Sequence, residues 1–117
     1  MTKYVALVAY TTEAWDQILD RGLNREEGVR RTVEQAGGRL DSVHWLMSHY
    51  DGIVFFEVPD DQTAMALSAV VGRSGMFKVF ELHRVFGSHE HADIIAKARD
   101  LVFYDHKHPS TPTHSRN

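Results

Sequence analysis

The amino-acid sequence predicts an α+β fold of the ferredoxin-like type, a four-stranded antiparallel sheet with two helices on one face. Short apolar β-rich segments alternate with segments of helical spacing in the order β-α-β-β-α-β, followed by one more helical segment. Split βαβ units produce this order. The strand segments are apolar on both alternating sides, whereas the helices can cover only one side of the sheet. We therefore expect a homodimer through the open sheet face, which a second copy would cover.

The first strand is followed by a helix that we expect to be broken. Residues 3–10 (KYVALVAY) are apolar at both alternating positions, which favours a central strand buried on both faces. Thr11-Thr12 offers an N-cap for the first helical piece, and Gly22 ends it. Asn24, with Glu27 three residues later, has the pattern of a capping box and restarts the helix. The apolar stripe runs through Trp15, Ile18, Leu19, Val29, Val33 and Ala36 to the stop at Gly37-Gly38.

The second half of the fold consists of a hairpin, a helix, a strand and a last helix. Asp60 or Asp61 caps the first of these helices, in which we expect Met65, Ala69 and Val70 to face the core. The sequence predicts a single domain over residues 1–104, and the polar end with its prolines is expected to be a flexible tail. The segments are hairpin strands at 39–48 and 52–58, a helix to residue 72, a strand at 76–87, a helix at 88–104 and the tail at 105–117.

Composition excludes several classes of protein. The 117 residues suit one compact domain, with 43% hydrophobic and 25% charged residues. A net charge of −3, with both signs interleaved, offers no basic footprint for nucleic acid and no polybasic stretch for a membrane. No apolar run could span a bilayer and no signal peptide is evident, so we expect a cytoplasmic protein. The absence of cysteine excludes disulfides and thiolate chemistry, whereas eight histidines are many for this length.

The chain resembles the GYD-domain family, small dimeric α+β barrels named for a Gly-x-Tyr-Asp stretch at the hairpin. The resemblance covers residues 2–97 and implies that the fold above assembles as a dimeric α+β barrel. Ser48 stands where the family's glycine is expected. The wider superfamily includes cofactor-independent oxygenases, haem-binding proteins, isomerases and ligand binders, so the resemblance does not select a reaction. The matching segments are KYVALVAYT at the start, Gly37-Gly38-Arg39-Leu40, Tyr50-Asp51 and Glu57-Val58-Pro59-Asp60.

The hairpin carries the first two candidate catalytic residues. We interpret Tyr50 and Asp51 as turn residues, with Asp51 capping the backbone of its own loop. A two-residue turn there, or a four-residue loop around it, places His44 directly opposite Glu57. A three-residue loop would shift the pairing and remove this inference. A carboxylate that holds one imidazole nitrogen leaves the other nitrogen free to act as a general base inside a pocket. Alternatively, the two side chains are a polar pair buried in the dimer interface.

Two further side chains complete the candidate site. His83 and Glu81 alternate along the last strand and share a face, which is either the His44 face or the opposite one. On the His44 face they form a pocket cluster in which imidazole and carboxylate suit iron, zinc or copper. The alternative is that His83 is a partly exposed residue of an edge strand. Tyr10 ends a strand beside the broken helix, where its hydroxyl donates either to a substrate oxygen or to a carbonyl of the fold.

Three functions are compatible with these residues. The leading hypothesis is a dimer that binds a small, largely apolar metabolite, with proton-transfer chemistry such as isomerisation, cyclisation or oxygenation and no organic cofactor. His44 would act as the base, Glu57 would orient it, and Tyr10 or His83 would anchor the substrate. The second hypothesis is binding of a metal ion or haem by the histidines. The third is a non-catalytic regulatory or partner-binding module built on the dimer.

Overall fold

The computed structural model describes residues 1–105, which belong to two compact units that divide after Val85. The four strands of the first unit are antiparallel and lie in the order β2-β3-β1-β4. The ferredoxin-like α+β fold is therefore confirmed, while the dimer stays a prediction. The elements of this unit are β1 (Thr2–Tyr10), α1 (Thr12–Arg21), α2 (Arg25–Gln35), β2 (Arg39–Trp45), β3 (Gly52–Val58), α3 (Asp61–Gly72) and β4 (Phe77–Arg84).

The predicted break in the first helical region lies at Gly22. This residue has φ 61° and ψ 40°, a left-handed conformation that glycine adopts without steric cost, and α1 ends there. Thr11 caps α1 and Asn24 caps α2, each through its side-chain oxygen. The chain therefore restarts as a separate helix, with Arg25 as its first residue.

The core lies between the sheet and the helices and is centred on β1 and β3. Alternate residues of these strands point toward the helices, because successive side chains of a strand face opposite sides of the sheet. Val58 is fully buried among them. The buried cluster comprises Tyr4, Ala6, Val8, Val33, Leu40, Val54, Phe56, Val58, Ala64 and Leu67.

α3 presents a different side to the sheet from the one that the sequence predicted. Met65 is 65% exposed and Val70 is also exposed, whereas Ala64 and Leu67 are buried. The helix is apolar around most of its circumference, so the spacing of its apolar residues does not select one face. The N-cap is Asp60, which accepts the amide of Thr63 at 2.9 Å, so the start of the helix was predicted while its rotation was not.

The exit of α2 packs unusually closely against β3. A Cβ atom built on Gly38 would lie 2.3 Å from the carbonyl oxygen of Glu57 and 2.7 Å from Cγ1 of Val58. Only glycine fits at such a distance from a backbone carbonyl. This contact brings the end of α2 onto the strand that carries much of the core.

The second unit begins at Phe86, and its helix α4 spans Ser88–Ala98, which is shorter than the predicted 88–104. The N-cap is Gly87, whose amide donates to Oε1 of Glu90 at 3.2 Å. None of the residues of α4 is buried. Apart from Asp105, the predicted tail at 105–117 lies outside the described residues. Across residues 1–105, each helix is too short or too polar to cross a membrane.

Candidate ligand-binding site

The predicted pairing of His44 with Glu57 is wrong. In the sheet, His44 pairs with Ile53 and Glu57 pairs with Arg39. The register differs because the hairpin loop is longer than predicted and comprises residues 46–51. Glu57 is only 8% exposed, and its carboxylate accepts a hydrogen bond from the Arg39 guanidinium. Glu57 therefore has a cationic partner of its own, and the geometry that would have made His44 an oriented base is absent from the described chain.

His83 lies on the same face of the sheet as His44. The directly paired residues His44, Ile53, Leu7 and Glu81 form a row across all four strands, and directly paired residues share a face. His83 is two residues from Glu81 and therefore shares this face as well. However, β2 and β4 are the opposite edges of the sheet, and three strand spacings amount to about 14 Å. One chain therefore does not bring the two histidines together.

Tyr50, in the hairpin loop, contacts β4 through Glu81. Its hydroxyl donates to Oε2 of Glu81 at 2.6 Å, and Oε1 of Glu81 lies 3.4 Å from Nε2 of His83. The bond from Tyr50, with a smaller contribution from His83, holds the pKa of Glu81 below its usual range. The same bond raises the pKa of Tyr50. Tyr50 is thus more than the turn residue that the sequence predicted, because it connects the loop to a carboxylate on the open face.

Asp51 binds the end of β1 instead of capping its own loop. Its Oδ2 accepts the amide of Tyr10 at 2.9 Å, at the point where the register between β1 and β4 shifts. The Asp51 amide in turn donates to the carbonyl of Val8 at 2.7 Å. The loop is capped by Ser48, whose hydroxyl accepts the amide of Tyr50 at 3.0 Å. Asp51 therefore holds the hairpin loop against β1.

A cleft of about 350 Å³ lies where the hairpin loop, the end of β1 and the α1–α2 break meet, and we call it the aromatic cleft. The ring of Tyr10 contacts that of Trp15 edge-on, with 5.1 Å between centroids, and that of Trp45 at 6.2 Å. Tyr10 also stacks on Phe77 at 5.4 Å. The sequence placed Tyr10 beside the helix break, and the structure shows it lining this cleft. The cleft is lined by Tyr10, Trp15, Ile18, Leu23, Asn24, Arg25, Trp45, Leu46 and Asp51.

The two tryptophans of the cleft remain accessible to solvent. Trp15 is 39% exposed and Trp45 is 53% exposed. A Cβ atom on Gly52 would lie 3.0 Å from the Trp45 ring, so the absence of a side chain at Gly52 lets this ring lie across the start of β3. Trp45 lies on the helix-covered face of the sheet, paired with Gly52, but at the end of β2, where the cleft replaces the core.

Arg25 was not among the residues that the sequence singled out. Its side chain lines the aromatic cleft and also an apolar cavity of about 90 Å³ between the sheet and helices α2 and α3. Burial raises the pKa of Tyr10, and the positive charge of Arg25 partly opposes that shift. An arginine directly after an N-cap has the pattern of a solvated surface residue, so the sequence carries no signal for this position.

No three or more histidine, aspartate or glutamate side chains in residues 1–105 are grouped so that they could hold a metal ion. The histidines at 106, 108 and 114 fall beyond this part of the chain.

The fold and the cleft define a class: a small ferredoxin-like α+β protein with an aromatic pocket at one end of its central strand. The family model of the GYD domain matches residues 4–95, and the chain belongs to the GYD-domain family. The resemblance stated from the sequence is thereby confirmed. A comparison with curated proteins gives no significant match.

Proposed function

We propose that this protein binds a small, largely apolar aromatic molecule in the aromatic cleft. The observation that carries the proposal is the make-up of the cleft, about 350 Å³ with three aromatic rings and three polar residues among those that line it. Small-molecule pockets typically have a volume of roughly 300–1,000 Å³, mostly apolar walls and a few polar groups that orient the ligand. The half-exposed faces of Trp15 and Trp45 offer the apolar area that such a ligand would cover.

The two tryptophans allow a direct test, because they are the only two in the chain and both line the cleft. A library of aromatic fragments is titrated into ¹⁵N-labelled protein while the two indole N–H signals are recorded. We expect the fragments that bind to shift both signals saturably. In Trp45→Leu their affinity should fall, whereas Met65→Leu, on the exposed side of α3, should bind as wild type does. If the fragments that bind do not shift either indole N–H signal, or if no fragment binds, the proposal is wrong.

We also propose that the protein is a homodimer assembled through the open sheet face. Val5 pairs with Phe55 and Leu7 pairs with Ile53, so four apolar side chains lie together on the face opposite the helices. All four are half-buried in the described chain. Sedimentation equilibrium should give a dimer for the wild type and a monomer for Phe55→Lys. Met65→Lys places the same charge on an exposed apolar position of a helix and should stay dimeric. A monomeric wild type at micromolar concentration would contradict the proposal.

The Glu81 carboxylate supports a second candidate function, proton transfer without an organic cofactor. Its contacts with the Tyr50 hydroxyl and the His83 imidazole form a set of groups that can exchange protons with a ligand on the open face. We expect the protein to accelerate α-proton exchange of an aryl ketone such as 1-indanone in D₂O, and His83→Gln to lose this effect. His44→Gln removes an exposed histidine of the same face and should keep it. Exchange at the buffer rate, or loss in His44→Gln alone, refutes this candidate.

A further inference from the structure

The Nε atom of Arg25 is buried and has no hydrogen-bond partner among residues 1–105. A buried N–H donor without an acceptor is costly, and more so on a charged group. Arg30, five residues further along α2, differs because it forms ion pairs with Glu26 at 3.1 Å and Glu27 at 3.7 Å on the helix surface. No such carboxylate of the described chain lies within ion-pair distance of Arg25. The guanidinium also hydrogen-bonds the side chain of Tyr10, so the donor left without an acceptor in residues 1–105 is its Nε–H.

Gly28 provides the space that the Arg25 guanidinium occupies. A Cβ atom at this position would lie 3.1 Å from Nη1 and 3.2 Å from Nη2 of Arg25. Glycine in the interior of a helix is less favourable than alanine. Packing explains the glycine at position 28, because the missing side chain lets the Arg25 guanidinium lie against α2, beside the aromatic cleft.

The other polar groups of the cleft are already occupied or neutral. Asp51 carries a negative charge, but its Oδ2 accepts the Tyr10 amide. Tyr10 is a neutral phenol whose pKa is raised by burial, so its hydroxyl remains a donor. Asn24 uses its side-chain oxygen to cap α2. Arg25 is the group at the cleft that combines charge with a free donor, and the planar guanidinium matches a carboxylate best.

We propose that the aromatic cleft selects aromatic carboxylates, with the carboxylate bound by Arg25 and the ring lying against Trp15 and Trp45. This inference rests on the proposed function and adds the chemical class of the ligand. The Tyr10 hydroxyl would donate a second hydrogen bond to the same carboxylate. The Asp51 charge would disfavour ligands that carry a further anionic group near the first.

The test uses three probes that share one ring system and differ in one group: 1-naphthoate, 1-naphthamide and 1-naphthylmethylammonium. Affinities are measured by calorimetry and by the shifts of the tryptophan indole signals. We expect the wild type to bind the carboxylate about tenfold more tightly than the amide, as a charge-assisted bond to arginine predicts. In Arg25→Gln the preference should disappear while amide binding is kept. Arg31→Gln, which removes an exposed charge from the same helix, should keep the preference.

A second variant keeps the arginine and moves it. Gly28→Ala should retain a folded α2, because alanine is the better helix former, but it displaces the guanidinium and should lower the affinity for the carboxylate several-fold with little effect on the amide. Equal affinities for carboxylate and amide, or an unchanged preference in Arg25→Gln, overturn the inference and leave the proposed function standing. A preference for the ammonium probe overturns it as well and makes Asp51 the polar anchor. If none of the three probes shifts the indole signals, the proposed function itself fails.

Discussion

Replacing Asp51 by alanine should destabilise the fold, because this carboxylate supports the backbone of β1. Oδ2 of Asp51 accepts the Tyr10 amide at 2.9 Å, where the β1–β4 register shifts. Tyr10 is 4% exposed, so without the Asp51 carboxylate its amide would find little water to accept its hydrogen bond. A hydrogen bond to a charged acceptor contributes roughly 1.5–3 kcal/mol, and a buried unpaired donor costs a similar amount. We therefore expect Asp51→Ala to lower the free energy of unfolding by about 2 kcal/mol.

Asp51→Asn separates the hydrogen bond from the charge. The amide carbonyl of asparagine can accept from Tyr10 in the same geometry, so we expect a loss of roughly 1 kcal/mol or less. Urea unfolding measures both values; at a slope of about 1–2 kcal/mol/M, Asp51→Ala should shift the midpoint by about 1–2 M. Exchange of the Tyr10 amide with deuterium should accelerate in Asp51→Ala and remain slow in Asp51→Asn.

A control variant removes a carboxylate that accepts no backbone amide of residues 1–105. Asp41 is exposed and pairs with Arg39 at 3.1 Å. Exposed ion pairs contribute roughly 0–1 kcal/mol, so Asp41→Ala should stay close to wild type. The assignment of Asp51 as a backbone anchor fails if Asp51→Ala is no less stable than Asp41→Ala, or if Asp51→Asn is as damaging as Asp51→Ala.

Three further predictions follow from single contacts. Gly38→Ala should lower the free energy of unfolding by about 2–3 kcal/mol, because its Cβ would lie 2.3 Å from a backbone carbonyl. Gly72→Ala should be neutral or stabilising, because no atom of residues 1–105 beyond its neighbours in the helix lies within 4 Å of the added Cβ. Equal urea midpoints would contradict this. Tyr50→Phe should raise the pKa of Glu81 toward its usual range, measured by carbon NMR of the carboxyl group. Because the folded-state pKa of Glu81 is depressed, the stability difference from wild type should be full at neutral pH and shrink as pH falls below about 4.5; a constant difference would argue against the bond. The Tyr4 phenol should titrate at a pKa of about 12, because it is buried and hydrogen-bonded to Asp61. The stability that it contributes should be present below pH 10 and be lost as pH rises toward 12. A spectrophotometric titration in which every tyrosine ionises near pH 10 would show that this is wrong.

Local chemistry explains what the sequence could predict of the fold. The break at Gly22 follows from a left-handed glycine and the two caps around it, all within a few residues. The faces of the strands follow from the period of two, and this is why His44 and Glu57 were correctly assigned to one face although their pairing was wrong. α3 shows the limit of such patterns, since a helix that is apolar on most sides leaves its rotation to tertiary packing.

The site was harder to predict, because long-range contacts set its geometry. The loop at 46–51 is fixed by two hydrogen bonds to β1: the Asp51 amide donates to the Val8 carbonyl, and the Asp51 carboxylate accepts the Tyr10 amide. Both partners lie far away in the sequence. No pattern within the hairpin encodes that length, and the loop length decides which residue faces His44. Arg25 was missed for a similar reason: its burial is produced by the cleft around it.

The last two residues of the hairpin loop therefore connect it to both neighbouring parts of the sheet. Tyr50 binds Glu81 of β4 on the open face, and Asp51 binds the backbone at the end of β1. Trp45, the last residue of β2, and Leu46, the first residue of the loop, line the aromatic cleft, so the loop must be held in place for the cleft to keep its shape. If the cleft is the binding site, Asp51→Ala should weaken binding of the naphthyl probes at temperatures where the variant is still folded, whereas Tyr50→Phe should affect it less, because its contact lies on the other face. The opposite order would place the ligand on the open face, beside Glu81 and His83, and would favour the proton-transfer function over binding in the cleft.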